Sequence, residues 1–325
     1  MRQLLREWYW EKEAKAGKKR QEVQVVNCYA SLLKWVLSWW GSAERRLALA
    51  MDATSLGMNF VVLSISVVYR GCAIPVAWKV LHASQKGSWK GEWLALFERL
   101  EQAVPDDWFV LVLADRGLYA HWLFEAIRNQ TWHPFLRINA GGRFRPMGSS
   151  QFLPISHFVL KNGGSRSEQG TCFKTNPLQA TLLTCWEPEY ADPWLIVTDL
   201  SPEHAKIAWY GMRPWIEHGF RSIKRGGWQW QNTRMTNPER AARLWLALAV
   251  ATLWVVSVGG EAEANLPPSS LPALPENHIA RRLYKNRQPV RSISSFQRGI
   301  AIIVAALINH RHLPFGRFSP EPWPT

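Results

Sequence analysis

The sequence predicts an α/β chain in which a mixed β-sheet is flanked by helices. Three observations carry this prediction. Between residues 46 and 81, three apolar or alternating runs follow one another, joined by short breaks at Gly57 and Gly71, as in an antiparallel meander. Residues 108–114 (WFVLVLA) are apolar throughout, which marks a strand buried on both faces under covering helices. Segments of helical periodicity lie on either side of that strand.

Taken in order, residues 1–45 read as a helical N-terminal segment. Its charged run, EKEAKAGKKR, is either solvated or a source of phosphate contacts through Lys12, Lys15, Lys18, Lys19 and Arg20. Residues 29–40 (YASLLKWVLSWW) form an apolar helix that ends at Gly41-Ser42. The three strands follow, as residues 46–57, 59–71 and 73–81. Asp52 ends the apolar part of the first. A carboxylate among Leu, Ala and Met is costly if it is buried unpaired. Its bland reading is a strand-end residue that caps a turn with Thr54 and Ser55.

Residues 88–104 are helical from Ser88, and the apolar strand 108–114 ends at Asp115-Arg116-Gly117. The carboxyl end of such a strand is where sites form in open α/β sheets. The competing reading makes Asp115 the N-cap of the next helix, residues 119–129. A fifth strand covers 135–139. This order is that of the ribonuclease-H-like fold, in which the first and fourth strands are neighbours and Asp52 would lie beside Asp115.

Residues 141–200 read as a β-rich insertion between the two parts of this core, 46–140 and 201–262. Its loops are RFRPMGSSQ and KNGGSRSEQG, and its strands are 151–159, 179–186 and 194–198. Arg143, Arg145, Lys161, Arg166 and Lys174 make its surface basic.

Residues 202–225 then read as one long helix, with Ser201 as cap and Gly226-Gly227 as stop. On it Tyr210, Arg213, Glu217, Arg221 and Lys224, spaced by three, four, four and three, share one stripe. Met212, Trp215, Ile216, Phe220 and Ile223 face the other way. A solvated stripe with i,i+4 charge pairs is the plain alternative.

Residues 244–260 are apolar for nearly a membrane span. They follow a charged helix start, Asn237-Pro238-Glu239-Arg240, and read as a helix buried in the core rather than in a bilayer. Residues 263–325 are expected to be a Pro-rich linker and a basic tail (Arg281, Arg282, Lys285, Arg287, Arg291, Arg298) with one apolar helix, 295–309.

The 325 residues carry 39 Lys plus Arg against 25 Asp plus Glu, a net charge of +14, so a polyanion is the first partner to expect. The 20 tryptophans are expected mostly in the core. Four scattered cysteines without a CxxC point to buried thiols in a reducing compartment, with no zinc site and no disulfide framework. No signal peptide is expected.

The spacing Tyr-x2-Arg-x3-Glu-x6-Lys over residues 210–224, MDATS around Asp52 and ADRGLY around Asp115 together resemble the DDE transposases of the family called insertion sequence four. The resemblance runs from about residue 46 to 261. It implies that Asp52, Asp115 and Glu217 bind two Mg²⁺ ions, with Mn²⁺ as a substitute. It also implies that Tyr210, Arg213 and Lys224 hold the transposon end by its phosphates, and Arg221, on the same stripe, is a further expected DNA contact. Trp194 would stack on a flipped base; a buried strand tryptophan is the competing reading, and Trp186 the competing ring.

The chemistry suits those residue types. Mg²⁺ prefers carboxylates and water, and two ions about 3.5–4 Å apart can serve both the attacking and the leaving oxygen of a phosphodiester. The partners implied are double-stranded DNA, as transposon end and target, and a second copy of the chain in the DNA complex, with no membrane. The place implied is the cytoplasm, at the nucleoid.

The family also implies a longer helical domain upstream of Asp52 than residues 1–45 supply. A second reading is therefore a shortened DNA-binding copy that inhibits full-length transposase. A junction resolvase of the same fold is a third, against which the complete Tyr-Arg-Glu-Lys spacing weighs.

Overall fold

The computed structural model describes residues 7–18, 20–41, 45–85, 87–161, 163–187, 190–265 and 293–324. Arg281, Arg282, Lys285, Arg287 and Arg291, and the linker from residue 266, lie outside the described residues. Among the described residues of the N-terminal segment, 7–9 are helical and α1 (Tyr29–Ser38) is the longest helix, preceded by single 3-10 turns at Lys12–Ala14 and Val25–Cys28. The Lys- and Gly-rich run ahead of it has no apolar stripe with which to hold a longer helix against the core.

The meander forms as its alternation predicts: β1 (Arg46–Leu56), β2 (Phe60–Tyr69) and β3 (Cys72–His82). Gly57 and Gly71 take positive φ in its two turns, at +59° and +74°, where a side chain would be strained. Then come α2 (Lys90–Leu100), β4 (Phe109–Ala114), α3 (His121–Asn129) and β5 (His133–Arg137). β4 pairs in parallel with β1 and with β5, so the first five strands stand in the order β3-β2-β1-β4-β5, and only β2 runs against the rest. Pro75 sits in β3, the sheet's edge strand, where a missing N–H costs least.

The strands of residues 141–200 continue this same sheet. β10 (Trp194–Thr198) pairs antiparallel with β5, and β9 (Leu178–Cys185), β8 (Ser165–Cys172), β6 (Arg143–Pro146) and β7 (Leu153–Pro154) extend it to ten strands. Two expectations fail here. β6 and β8 lie in stretches that read as loops, because their polar residues face outward and only Phe144 of β6 and the end of β8, Gly170–Cys172, are buried. The expected strand 151–159 is two residues of strand followed by a 3-10 turn, Ile155–Phe158, which buries Ile155 and Phe158 three residues apart.

The long helix expected over 202–225 is three pieces. A 3-10 turn spans Ile207–Met212, α4 spans Trp215–Arg221, and a π turn spans Ser222–Gly226. Pro214 accounts for the first break, since it has no N–H to continue the ladder. The apolar side still points inward: Met212, Ile216, Phe220 and Ile223 are buried. α4 lies on β3, β1 and β2. Gly219 allows that approach, because a methyl there would press on the Ala73 side chain at 2.8 Å.

α5 (Pro238–Ala264) is capped by Asn237, whose side chain accepts from the Arg240 N–H at 2.9 Å. It is long and apolar enough to cross a bilayer, yet it packs on β3 and on α6 (Ser295–Ile308), with Trp245, Ala249, Leu253 and Val256 fully covered. It runs four residues past Gly260, into the stretch expected as linker. Six tryptophans are buried (Trp78, Trp93, Trp132, Trp209, Trp230, Trp245), and several others only line the rim of the core, where the N–H groups of Trp228 and Trp254 find partners and those of Trp40 and Trp89 do not. All four cysteines are free thiols.

Candidate active site

The last parallel register pair of β1 and β4 is Met51↔Ala114, so Asp52 and Asp115 are the next residues on adjacent strands, about 4.8 Å apart across the sheet. Both bland readings of these acids fail in the structure. β1 runs on through Asp52 to Leu56, paired with β2, so no turn begins at Thr54. α3 begins six residues after Asp115, with Ala120 at its cap position. Asp52 accepts from the Ala53 N–H at 2.8 Å, and Asp115 from the Arg116 N–H at 2.7 Å.

α4 brings the third carboxylate over these strand ends, and Arg213 joins all three. Its guanidinium lies 3.0 Å from Asp52 Oδ2 and 3.7 Å from Asp115 Oδ2, and it donates to Glu217 Oε1. Arg213 is only 7% exposed, whereas the Glu217 side chain is 57% exposed. Arg213 Nε is buried without a partner. Burial raises the Asp52 carboxyl above its usual range; Arg213 and the Ala53 N–H pull it back, while Glu217 and Asp115 push it further up.

The remaining predicted residues fall around this centre. Tyr210 is buried; its hydroxyl donates to Asp115 Oδ1 at 3.4 Å, and burial with the Asp115 charge beside it holds it as a neutral phenol. Lys224, in the π turn, donates from Nζ to Thr54 Oγ1 at 2.6 Å. Burial, then Arg225, lowers its pKa, and Asp52 opposes them. Arg221 is exposed on the last turn of α4. Trp194 is half-buried, with its ring edge-on to Tyr210 at 5.3 Å and stacked on Tyr190 at 5.3 Å. Trp186 lies one contact further away, its indole N–H donating to the Tyr190 carbonyl oxygen at 2.9 Å.

A cleft of about 330 Å³ opens beside the acids, lined by Asp52, Thr54, Glu217, Arg221, Lys224 and Arg225 among others. Three positions near this centre escape the sequence reading. Thr54 and Arg225 line the cleft, and Arg137 ends β5 in the register position beside Asp115, its guanidinium on the Pro193 carbonyl oxygen at 3.2 Å. The last place of a parallel strand next to a suspected acid is the signal that would have found Arg137.

Three hard oxygen donors suit Mg²⁺ in kind. Among the described residues, however, no three His, Cys, Asp or Glu side chains stand close enough together to hold a metal as they are. The guanidinium lies between the three acids.

No curated protein matches the sequence. Among solved structures the chain is similar to a piggyBac transposase synaptic complex with hairpin DNA, determined by cryo-EM. The identity is 9%, the likeness covers 91% of this chain and 85% of that one, and the TM-score is 0.33. A family model described as the transposase DDE domain matches residues 74–254, a stretch that holds Asp115, Arg213 and Glu217 and begins after Asp52. That match spans more than half of the chain, which belongs to the transposase DDE domain family.

Proposed function

We propose that this chain is a transposase of the insertion-sequence-four type, which cuts phosphodiesters at the ends of a mobile element and joins the freed 3′-hydroxyl to target DNA. One observation carries the reading: carboxylates from three separate elements, Asp52 on β1, Asp115 after β4 and Glu217 on α4, converge on a single side chain. The fold is read as ribonuclease-H-like on the strand order β3-β2-β1-β4-β5.

Asp52, Asp115 and Glu217 are the residues that would hold two Mg²⁺ ions. When bound, those ions would activate the attacking oxygen and stabilise the leaving one. The chain's own part is position and charge. Lys224, Arg221 and Arg225 present cations along the cleft, where a phosphate backbone can lie. Tyr210 fixes the Asp115 carboxylate and buttresses Trp194, whose ring is the candidate to stack on an unpaired base.

The test is nicking of a duplex that carries the element's terminal repeat, in Mg²⁺, by the wild type and Glu217→Ala side by side. Nicking by the wild type alone is expected. Equal nicking by both removes Glu217 from the reaction. Binding without cleavage by either protein turns the reading to the shortened, inhibitory copy.

A further inference from the structure

We propose that Arg213 is the resident counter-cation of the three carboxylates, competing with divalent metal for them, so that it must leave before metal can load. This rests on the reading of Asp52, Asp115 and Glu217 as a metal site. It assigns Arg213 a place in the metal-free protein distinct from any contact with DNA.

One guanidinium lies within 4 Å of all three carboxylates. A guanidinium and a metal ion seek the same carboxylate lone pairs and the same space between them, so they cannot both be there. Without Arg213 the acids would be three like charges in a half-buried cleft, which is why a cation is drawn in. The arginine is not fully held, because its Nε is buried and has no acceptor. Its side chain rises from the junction between the 3-10 turn and α4, next to Pro214, one turn of chain from the cleft that Lys224 and Arg221 line.

A phosphate entering that cleft offers the guanidinium a planar, bidentate partner that frees the carboxylates. By linkage, phosphate binding and metal binding then favour each other by the same factor. Metal-free protein without DNA would hold itself in an arginine-locked, unloaded state.

The experiment is calorimetric titration of the full chain with Mn²⁺ in the absence of DNA. Wild type, Arg213→Gln and Asp115→Asn are compared, with thermal melts in chelator and in Mn²⁺. Arg213→Gln is expected to bind Mn²⁺ at least about tenfold more tightly than the wild type. It should melt lower than the wild type in chelator and gain more on adding Mn²⁺. Equal or weaker binding by Arg213→Gln, with binding still lost in Asp115→Asn, overturns the role of Arg213 and leaves the metal-site reading standing. Mn²⁺ binding that is absent from the wild type and Arg213→Gln alike, or that Asp115→Asn leaves unchanged, overturns the metal-site reading itself. If Arg213→Gln does not fold, Arg213→Lys carries the same test. It keeps the charge but loses the fork, and tighter binding by a smaller factor is expected; equal or weaker binding overturns the proposal.

Discussion

Asp52 and Asp115 owe their meeting to one register, Met51↔Ala114, and Glu217 reaches them only because Gly219 lets α4 lie close on β3. Removing any one carboxyl should therefore stop cleavage without loosening the fold. Asp52→Ala and Asp115→Ala are each expected to abolish nicking while duplex binding, read by gel shift, persists. Retained nicking in either would remove that residue from the proposed metal site.

A second residue-scale prediction concerns Glu11. Arg240 donates to both of its oxygens at 2.8–3.0 Å, and Arg243 lies 3.4 Å away, tying the N-terminal segment to α5. The Arg240 hydrogen bonds hold the Glu11 carboxyl below its usual value. A lowered carboxyl stabilises the fold above the unfolded pKa, about 4.3, and the contribution fades as pH falls through the folded value. Glu11→Gln should cost about 1 kcal/mol in a urea melt at pH 7. The gap should narrow as the pH falls below the unfolded pKa; a gap that stays unchanged into acid would contradict the ion pair.

Among the elements, those with strong period or alternation were legible in sequence. The meander, β4, α2, α3, α5 and α6 lie within a few residues of where the apolar pattern puts them. The stripe from Tyr210 to Lys224 was legible as a set of residues but not as a helix. Spacing reports which side chains share a side, whereas the turn type depends on Pro214 and on what Tyr210 and Lys224 bond. β6 and β8 were illegible because strands with polar outer faces carry no hydrophobic alternation.

The α5–α6 crossing was also hidden, since it depends on two small residues. A methyl at Gly259 would run into the Ser295 carbonyl oxygen, and one at Gly299 into the Val255 carbonyl oxygen. Backbone meets backbone there, and neither can yield cheaply. Gly259→Ala should cost about 3 kcal/mol or more, against the usual gain from replacing a helical glycine. Gly91→Ala, on the open face of α2 where an added methyl meets nothing, should instead stabilise by about 0.5–1 kcal/mol. Paired melts in which Gly259→Ala is no less stable than Gly91→Ala would refute the close crossing.

At the scale of the whole molecule, the sheet sets the acids at its carboxyl ends and the net charge of +14 sets what can approach them. A net charge acts at long range and without sequence preference, so it accounts for attraction to DNA but not for where the backbone lies. Position has to come from cations fixed beside the acids. Lys224 is the best fixed of these: it is half-buried and anchored to Thr54, two residues beyond Asp52 on the same strand, while Arg221 and Arg225 are exposed. A phosphate bound there releases about one counterion. Lys224→Ala should therefore weaken duplex binding about equally for all sequences and lower the slope of log K against log salt by about 0.9. The measurement is a titration of one duplex from low to moderate salt with both proteins. A weaker affinity with an unchanged slope would mean that Lys224 acts through the shape of β1 and the π turn, and the phosphate would then have to be assigned to Arg221 or Arg225.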